Sequence, residues 1–266
     1  MFSPFDLPSG ILLLVTDQLA SPADFVLHRG LIDHLKVTNL QDSKKAIVLS
    51  VSQDLTRWTA IAAKSNLHLD QKITSGAFIF VDVLERARPR DTDSSGPILR
   101  PILDTVTSVL EQNNGSDVLV IVDDLATLDW IGFSVLDITR FCRALATACR
   151  KVCLIFFPVH SGDSKSTSIK ANATLLIRQH VLTPSTAEPM LDDLFRALNQ
   201  ICTYHMEVLP LASGRSGAVS GQVALHGGPG TPRGGVKLLG RRSALQYRLT
   251  DTGAVFFERG TGAGVL

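Results

Sequence analysis

Two adjacent carboxylates, Asp123 and Asp124, directly follow an apolar run at residues 118–122. Carboxylates at the carboxyl end of a buried parallel strand are where nucleotide-binding folds hold Mg²⁺, so the pair has the shape of a Walker B element. The other half of such a site would be a glycine-rich loop ending in Gly-Lys-Ser or Gly-Lys-Thr, which surrounds the phosphates. An Asp in this place can also cap the helix that follows. The pair alone therefore does not establish a nucleotide site.

The phosphate-binding loop is missing from the place where it would have to be. The connection between the first strand and the first helix reads TDQLASPADF at 16–25 and contains no Gly and no Lys. Pro22 has no amide proton to donate, and the carboxylates of Asp17 and Asp24 would repel a triphosphate. The glycines at 227–240 do not lie between a strand and a helix, and we expect a flexible loop there. We predict no cofactor, no metal site and no catalytic residue.

The segment 160–172 is the best candidate for contact with a nucleic acid. Lys165 and Lys170 lie there among four serines, after a strand predicted at 153–157. Ammonium and hydroxyl groups can bind a phosphate backbone, although the same composition also suits a solvated loop. His160 opens the segment and is the one histidine that we place at a strand end where ligands bind, with a capping role as the alternative.

Hydrolase, zinc and redox chemistry find no support in the residue spacing. The fragment SGRSG at 213–217 has the wrong spacing for a nucleophile elbow. The four cysteines form no Cys-x-x-Cys pair, which argues against a zinc or redox motif. Cys142 and Cys149 are seven residues apart on one helical stripe, so we expect buried, reduced thiols.

Composition indicates a globular protein without a long-range attraction to nucleic acids or membranes. The 266 residues include 26 Lys and Arg against 25 Asp and Glu, a net charge of +1, and 45% are hydrophobic. A nucleic-acid site would therefore have to be a local patch, shared with partner chains. The longest apolar runs are too short to cross a bilayer, and the start of the chain does not resemble a signal peptide. We expect a cytosolic or nuclear location.

Short β-rich runs alternate with longer amphipathic stretches in the first two thirds of the chain, which predicts a doubly wound parallel sheet. The predicted strands are 11–16, 46–51, 78–83, 118–122, 153–157 and 174–179, and the predicted helices are 21–39, 53–65, 97–114 and 131–150. The polar segment 86–96 should be an exposed, flexible loop, as should 160–172.

The pattern changes after about residue 200, where short strands replace the helices. The predicted strands are 206–211, 221–225, 245–249 and 255–258. We expect them to form an antiparallel extension of the same sheet, within a single domain that spans residues 1–266.

Several segments in order along the chain resemble one known family. They are VLVIVDDLATL at 118–128, LDITRFCRA at 136–144, HSGD at 160–163, VSGQVAL at 219–225, LQYRLTD at 245–251 and VFFERG at 255–260. Together they are similar to the sixth subunit of the Elongator complex, a RecA-like protein without a working phosphate loop. The similarity runs from about residue 10 to the end of the chain, and the segment 181–205 is longer than the family leads us to expect.

The resemblance implies a non-catalytic role in the modification of the wobble uridine of tRNA. Subunits 4, 5 and 6 of this family form a RecA-like heterohexameric ring that binds tRNA and works with the catalytic subcomplex, in the cytoplasm and nucleus. Two alternatives stay open from the residues. One is a degenerate nucleotide-binding enzyme of the doubly wound class, with Asp123, Asp124 and His160 as its pocket groups. The other is an interaction protein whose basic loops never touch RNA.

Overall fold

A computed structural model describes residues 5–36, 44–87, 98–113, 116–151, 173–181, 193–211, 213–214, 216–232, 234–251 and 253–259. Its strands are β1 Leu12–Asp17, β2 Lys45–Ser50, β3 Phe78–Asp82, β4 Val118–Val122, β5 Thr174–His180, β6 Tyr204–Leu209, β7 Gly221–Gly227, β8 Leu245–Thr250 and β9 Gly253–Phe257. Its helices are α1 Asp24–Lys36, α2 Leu55–Lys64, α3 Leu69–Thr74, α4 Val83–Arg86, α5 Arg100–Gln112, α6 Ala126–Trp130, α7 Val135–Lys151 and α8 Asp193–Asn199.

The strands form one continuous sheet in the order β3-β2-β4-β5-β1-β6-β7-β8-β9. The six strands from β3 to β6 in this order pair in parallel, and β7, β8 and β9 add antiparallel neighbours. This arrangement confirms the predicted fold class, a mostly parallel central sheet flanked by helices with an antiparallel C-terminal extension.

Strand β4 shows why the apolar runs become central strands. All five of its residues are buried. Val120 lies in the hydrophobic layer with α5 and α7, whereas its neighbour Ile121 lies in the layer with α1 and α2. A strand covered on both faces needs an unbroken apolar run, because alternate side chains enter opposite layers.

One strand direction was predicted wrongly. The run at 206–211 was expected to open the antiparallel extension, but β6 pairs in parallel with β1, Leu14 opposite His205. The reason is helix α8, which precedes β6 and contributes buried Leu194 and Leu198 to the core. A helix between two strands lets the chain return to the opposite end of the sheet, so the second strand can run parallel. The antiparallel part begins only at β7.

Two predicted helices are present, and each has an additional short helix next to it that was not predicted. The helix predicted at 53–65 is α2, whose first turn is capped by Asp54, and a further short helix α3 follows it. The helix predicted at 131–150 begins later, at Val135, because α6 precedes it and Gly132 between the two has a φ of +101°. That left-handed backbone conformation favours glycine and interrupts a right-handed helix.

Several predicted segments lie outside the described residues or only partly within them. The strand predicted at 153–157 and the loop 160–172 lie outside, as do residues 88–96 of the loop predicted at 86–96. Of the segment 181–205, the described part from residue 193 onward contains α8 and the start of β6. Within 227–240, Gly228 lies so close to the Cys202 carbonyl that a side chain there would clash. No described helix is long and apolar enough to cross a membrane.

Candidate functional site

The carboxyl ends of the parallel strands β1, β2, β4 and β5 meet at one edge of the sheet. Asp17 ends β1, Ser50 ends β2, and Asp123 follows β4 directly. Strand β5 contributes Arg178 and His180, two residues apart and therefore on one face of the strand. Ligands of open α/β sheets bind at this edge, so these side chains define the candidate site.

Asp123 is a buried cross-link between β4 and the end of β2. Its Oδ1 accepts hydrogen bonds from the backbone amides of Val51, at 2.7 Å, and Ser52, at 3.3 Å. Its Oδ2 accepts a short hydrogen bond from the Ser50 hydroxyl. Burial raises the pKa of Asp123, while these bonds act in the opposite direction. Three of the roughly four acceptor positions of the carboxylate are therefore occupied by the chain itself.

Asp124 closes the turn into α6, as expected of a capping carboxylate. It accepts from the Thr127 amide at 3.3 Å and from the Thr127 hydroxyl at 2.7 Å. Its Oδ2 also lies 3.6 Å from Arg178 Nη2 and 3.8 Å from His180 Nε2. The two predicted carboxylates are thus brought to one edge, but each is already engaged by neighbouring groups of the chain.

The connection from β1 to α1 is held by Asp17. Its Oδ2 accepts a hydrogen bond from the Ala23 amide at 2.6 Å, and its Oδ1 lies 2.5 Å from His180 Nδ1. The close approach of the Asp17 carboxylate is the main cause that raises the pKa of His180. In a phosphate-binding loop, amides in this connection would face the phosphates. In this chain, the buried Asp17 carboxylate accepts the hydrogen bond of one of these amides, that of Ala23.

Arg178 joins the two halves of the edge. Its side chain is only 3% exposed, and its Nη1 forms a short ion pair with Asp24 while its Nη2 approaches Asp124. Gln53 Nε2 also donates to Asp24, at 2.6 Å. Asp17 and Asp24, which we expected to repel a triphosphate, are therefore paired with cations of β5. We name these residues, Asp17, Asp24, Asp124, Arg178 and His180, the edge network.

The edge network does not fit a bound triphosphate. No lysine lies in the β1–α1 connection, and Arg178, which reaches it, is committed to two carboxylates. Three carboxylates against Arg178 and His180, which is a cation only when protonated, leave the network without positive charge to offer a polyphosphate. Within the described ranges, no group of three or more His, Cys, Asp and Glu side chains is arranged to hold a metal ion.

An exposed apolar patch borders the edge network. Trp130, 56% exposed, lies parallel to the His180 ring, with ring centroids 6.2 Å apart. Ile131, the next residue, is 51% exposed, and Leu136, in the first turn of α7, is 57% exposed. Large exposed apolar side chains in neighbouring segments are typical of protein contact surfaces.

A second polar cluster lines a cavity of about 380 Å³ at the ends of β1 and β6. Glu207 is bound by Arg241 through two contacts, at 2.8 and 2.5 Å, and lies 3.2 Å from His226 Nε2. Burial acts to raise the pKa of Glu207, but the bonds and charge of Arg241 outweigh it and lower that pKa. His205 is bonded to Thr16 at 2.6 Å, and burial lowers its pKa to about 4. The charges in this cavity are paired internally.

Sequence reasoning missed the two cations that complete the edge network. It selected His160 as the one histidine at the ligand-binding edge, whereas His180 lies there, and His160 is outside the described residues, as are Lys165 and Lys170. The available signal was an Arg and a His at alternate positions at the end of the run TLLIRQH, which begins as an apolar strand. Charged groups in a buried strand require partners, which indicates an ion-pair network. The buried Cys142 and Cys149 match the prediction, and burial raises the pKa of each to about 12.

The sheet order, the helices on both faces and the antiparallel extension define a RecA-like α/β protein. In agreement, the crystal structure of a KaiC-like protein from the archaeon Pyrococcus horikoshii superposes with a TM-score of 0.60, covering 94% of this chain and 91% of that one. The two chains are 8% identical, so this likeness concerns the fold alone.

The particular family follows from the sequence comparison. The model of the family described as Elongation complex protein 6 matches residues 1–251, and the chain therefore belongs to this family. A relative, the Elongator complex protein 6 of Danio rerio, is 25% identical over 289 residues, which cover 99% of this chain and 96% of that protein.

Proposed function

We propose that this chain is a non-catalytic ring subunit of the Elongator complex. It joins subunits 4 and 5 in a heterohexameric ring that binds tRNA and supports modification of the wobble uridine by the catalytic subcomplex. The observation that carries the non-catalytic role is the edge network, in which Asp17, Arg178 and His180 occupy the groups that a nucleotide would need. The family supports membership in the complex.

The patch of Trp130, Ile131 and Leu136 supports a subunit contact. It lies beside the ligand-binding edge of the sheet and offers about half of each apolar side chain to solvent. A head-to-tail contact of such a surface closes into a ring when the rotation between neighbours fits. We place a neighbouring ring subunit on this patch.

Light scattering tests the ring. The chain is measured alone and after co-expression with subunits 4 and 5, and a stable particle with the mass of a mixed hexamer is expected. A chain that stays monomeric in the presence of both partners refutes the ring. Titration of the purified chain with Mg-ATP tests the alternative of a degenerate nucleotide-binding enzyme, for which saturable binding would be the supporting result.

The tRNA contact is tested in the assembled ring. Lys165 and Lys170 are our candidates for contact with the phosphate backbone, and replacing both by Glu should weaken tRNA binding. The matched control is Arg140→Glu with Arg143→Glu, which changes the net charge equally on the exposed face of α7. Equal tRNA affinity of the lysine variant and the wild type would favour an interaction protein that does not touch RNA. We also propose a cytoplasmic and nuclear location, which imaging of the tagged protein tests.

A further inference from the structure

A groove of about 560 Å³ separates helices α1 and α2 from the β8–β9 hairpin. Its apolar part includes half-buried Ile32 and Ile61 on the helices. On the hairpin side, Leu249 is 45% and Val255 is 50% exposed. Solvent-facing aliphatic side chains on both walls of a groove are typical of a surface that binds another chain.

The charges along the groove are unbalanced. Asp24 is neutralised by Arg178, and Arg29 pairs with Asp33 at 3.6 Å and also donates to the Ala254 carbonyl at 3.0 Å. The remaining ionised groups of the lining are three cations and one carboxylate. They are Lys36, Arg57 and Lys64 against Asp251. The three cations are exposed and form no ion pair with any other described residue.

The cations and the apolar side chains alternate along the helices. On α2, Arg57, Ile61 and Lys64 follow one another at intervals of four and three residues, which places them on one helical face. On α1, Ile32 and Lys36 are four residues apart on the face toward the same groove. An occupant must therefore supply negative charges and apolar side chains at close intervals.

We propose that this groove binds a segment of a partner protein that is rich in acidic and apolar side chains. The cations of the groove require a negatively charged partner segment, because its acidic groups can pair with Arg57 and Lys64. Its aliphatic side chains can cover Ile61 and Leu249. A single-stranded RNA is the less suitable occupant, because RNA surfaces place aromatic side chains between their cations for the bases to stack on. Here the groups between the cations, Ile32 and Ile61, are aliphatic. The two aromatic rings of the lining, Phe25 and His28, already pack against Tyr247 and Trp58. This inference goes beyond the proposed function and concerns a different activity of the chain.

Fluorescence polarisation with four labelled probes of equal length tests the proposal on the full chain. The first probe is an amphipathic peptide with Leu on one helical face and Glu and Asp on the other. The second carries Lys in place of the acids, the third is polyglutamate, and the fourth is a single-stranded RNA. We expect saturable binding of the first probe and weak or no binding of the other three.

Two groove variants and two matched controls locate the binding. Arg57→Glu with Lys64→Glu should weaken binding of the acidic amphipathic peptide by about tenfold, because two attractions become repulsions. Arg140→Glu with Arg143→Glu is the control of equal charge change on α7. Leu249→Asp should also weaken binding, whereas Leu238→Asp, at a residue that is 47% exposed and does not line the groove, should not.

Several results would overturn the proposal. They are no saturable binding of the first probe, equal binding of polyglutamate, or unchanged affinity of the groove variants. Binding of the RNA that disappears in the charge variant would assign the groove to RNA instead. Light scattering of the same variants with subunits 4 and 5 separates this proposal from the ring. Loss of the hexamer in both groove variants would mean that the ring interface covers the groove. A wild-type chain that forms no hexamer but binds the peptide would refute only the ring.

Discussion

Replacing Asp123 by Ala tests whether this carboxylate is a structural cross-link. The change removes the acceptor of the Val51 and Ser52 amides, whereas the Ser50 hydroxyl keeps a second acceptor, the Gln53 carbonyl at 2.5 Å. A buried amide without an acceptor costs about 1–3 kcal/mol, and an amide that water can reach costs less. Val51 is buried and Ser52 is exposed. Because removal of the carboxylate also relieves its own burial, we expect a net loss of about 2–3 kcal/mol.

Asp123→Asn separates the hydrogen bonds from the charge. The Asn amide oxygen can still accept from the backbone amides, and its Nδ2 can donate to the Ser50 hydroxyl. Burial raises the pKa of Asp123 because it penalises the ionised side chain, and the neutral Asn avoids that penalty. We expect the free energy of unfolding of this variant to lie within about 1 kcal/mol of the wild-type value. Asp104→Ala, which removes an exposed partner of Arg100, is the surface control and should cost at most about 1 kcal/mol.

Urea unfolding followed by circular dichroism measures these differences. The midpoint should fall for Asp123→Ala with an unchanged slope, because the slope reports the surface exposed on unfolding. A metal ligand predicts the opposite result. Both variants would then keep the wild-type midpoint and lose Mg²⁺-dependent binding of ATP. An Ala variant as stable as the wild type refutes the cross-link.

Four further predictions use the same unfolding and scattering assays. Arg178→Met leaves two carboxylates without their buried cation and should lower the free energy of unfolding by about 3 kcal/mol in urea titrations. The pKa of His180 is raised in the folded state, so its stabilisation is complete below the unfolded value of about 6.5 and is lost as the pH rises through the folded value. In His180→Gln, the urea midpoint should therefore decrease less than in the wild type as the pH rises above about 6.5. The pKa of His205 is lowered to about 4 in the folded state, so the stability that it contributes above pH 6.5 is lost as the pH falls toward 4. In His205→Gln, the free energy of unfolding should therefore decrease less steeply in this acid range, by up to about 1.4 kcal/mol per pH unit. Trp130→Ala should change the unfolding free energy of the isolated chain by less than about 1 kcal/mol, yet shift the scattering mass of the mixed ring toward smaller species.

The central strands could be predicted from sequence because burial on both faces produces a recognisable run of apolar residues. The unbroken apolar run at 118–122 is β4, residue for residue, since a strand covered on both faces favours apolar side chains at every position. The sequence contains no comparable signal for the direction of β6. A strand has the same composition whether its neighbour runs parallel or antiparallel, and the short helix α8 that decides the direction was not predicted.

The candidate site was predicted in part for a similar reason. Asp123 and Asp124 are visible because they end an apolar run, and the missing glycine loop is visible as an absence. The partners of Asp124, Arg178 and His180, are more than 50 residues away in the sequence and meet it only through the pairing of β4 with β5. Spacing arguments work within one element, whereas this network joins several elements through the sheet.

The edge network connects stability with the proposed loss of nucleotide chemistry. A phosphate-binding edge must keep its amides and cations unpaired until the ligand arrives, and this leaves polar groups of the free protein without partners. In this chain, Asp17 takes the Ala23 amide, and Arg178 and His180 bind the carboxylates around them. The charged side chains of the edge network are thereby paired with one another without a ligand. Under the proposed function, a ring subunit of this kind holds its fold at every nucleotide concentration, and any response of the ring to ATP must originate in its neighbours.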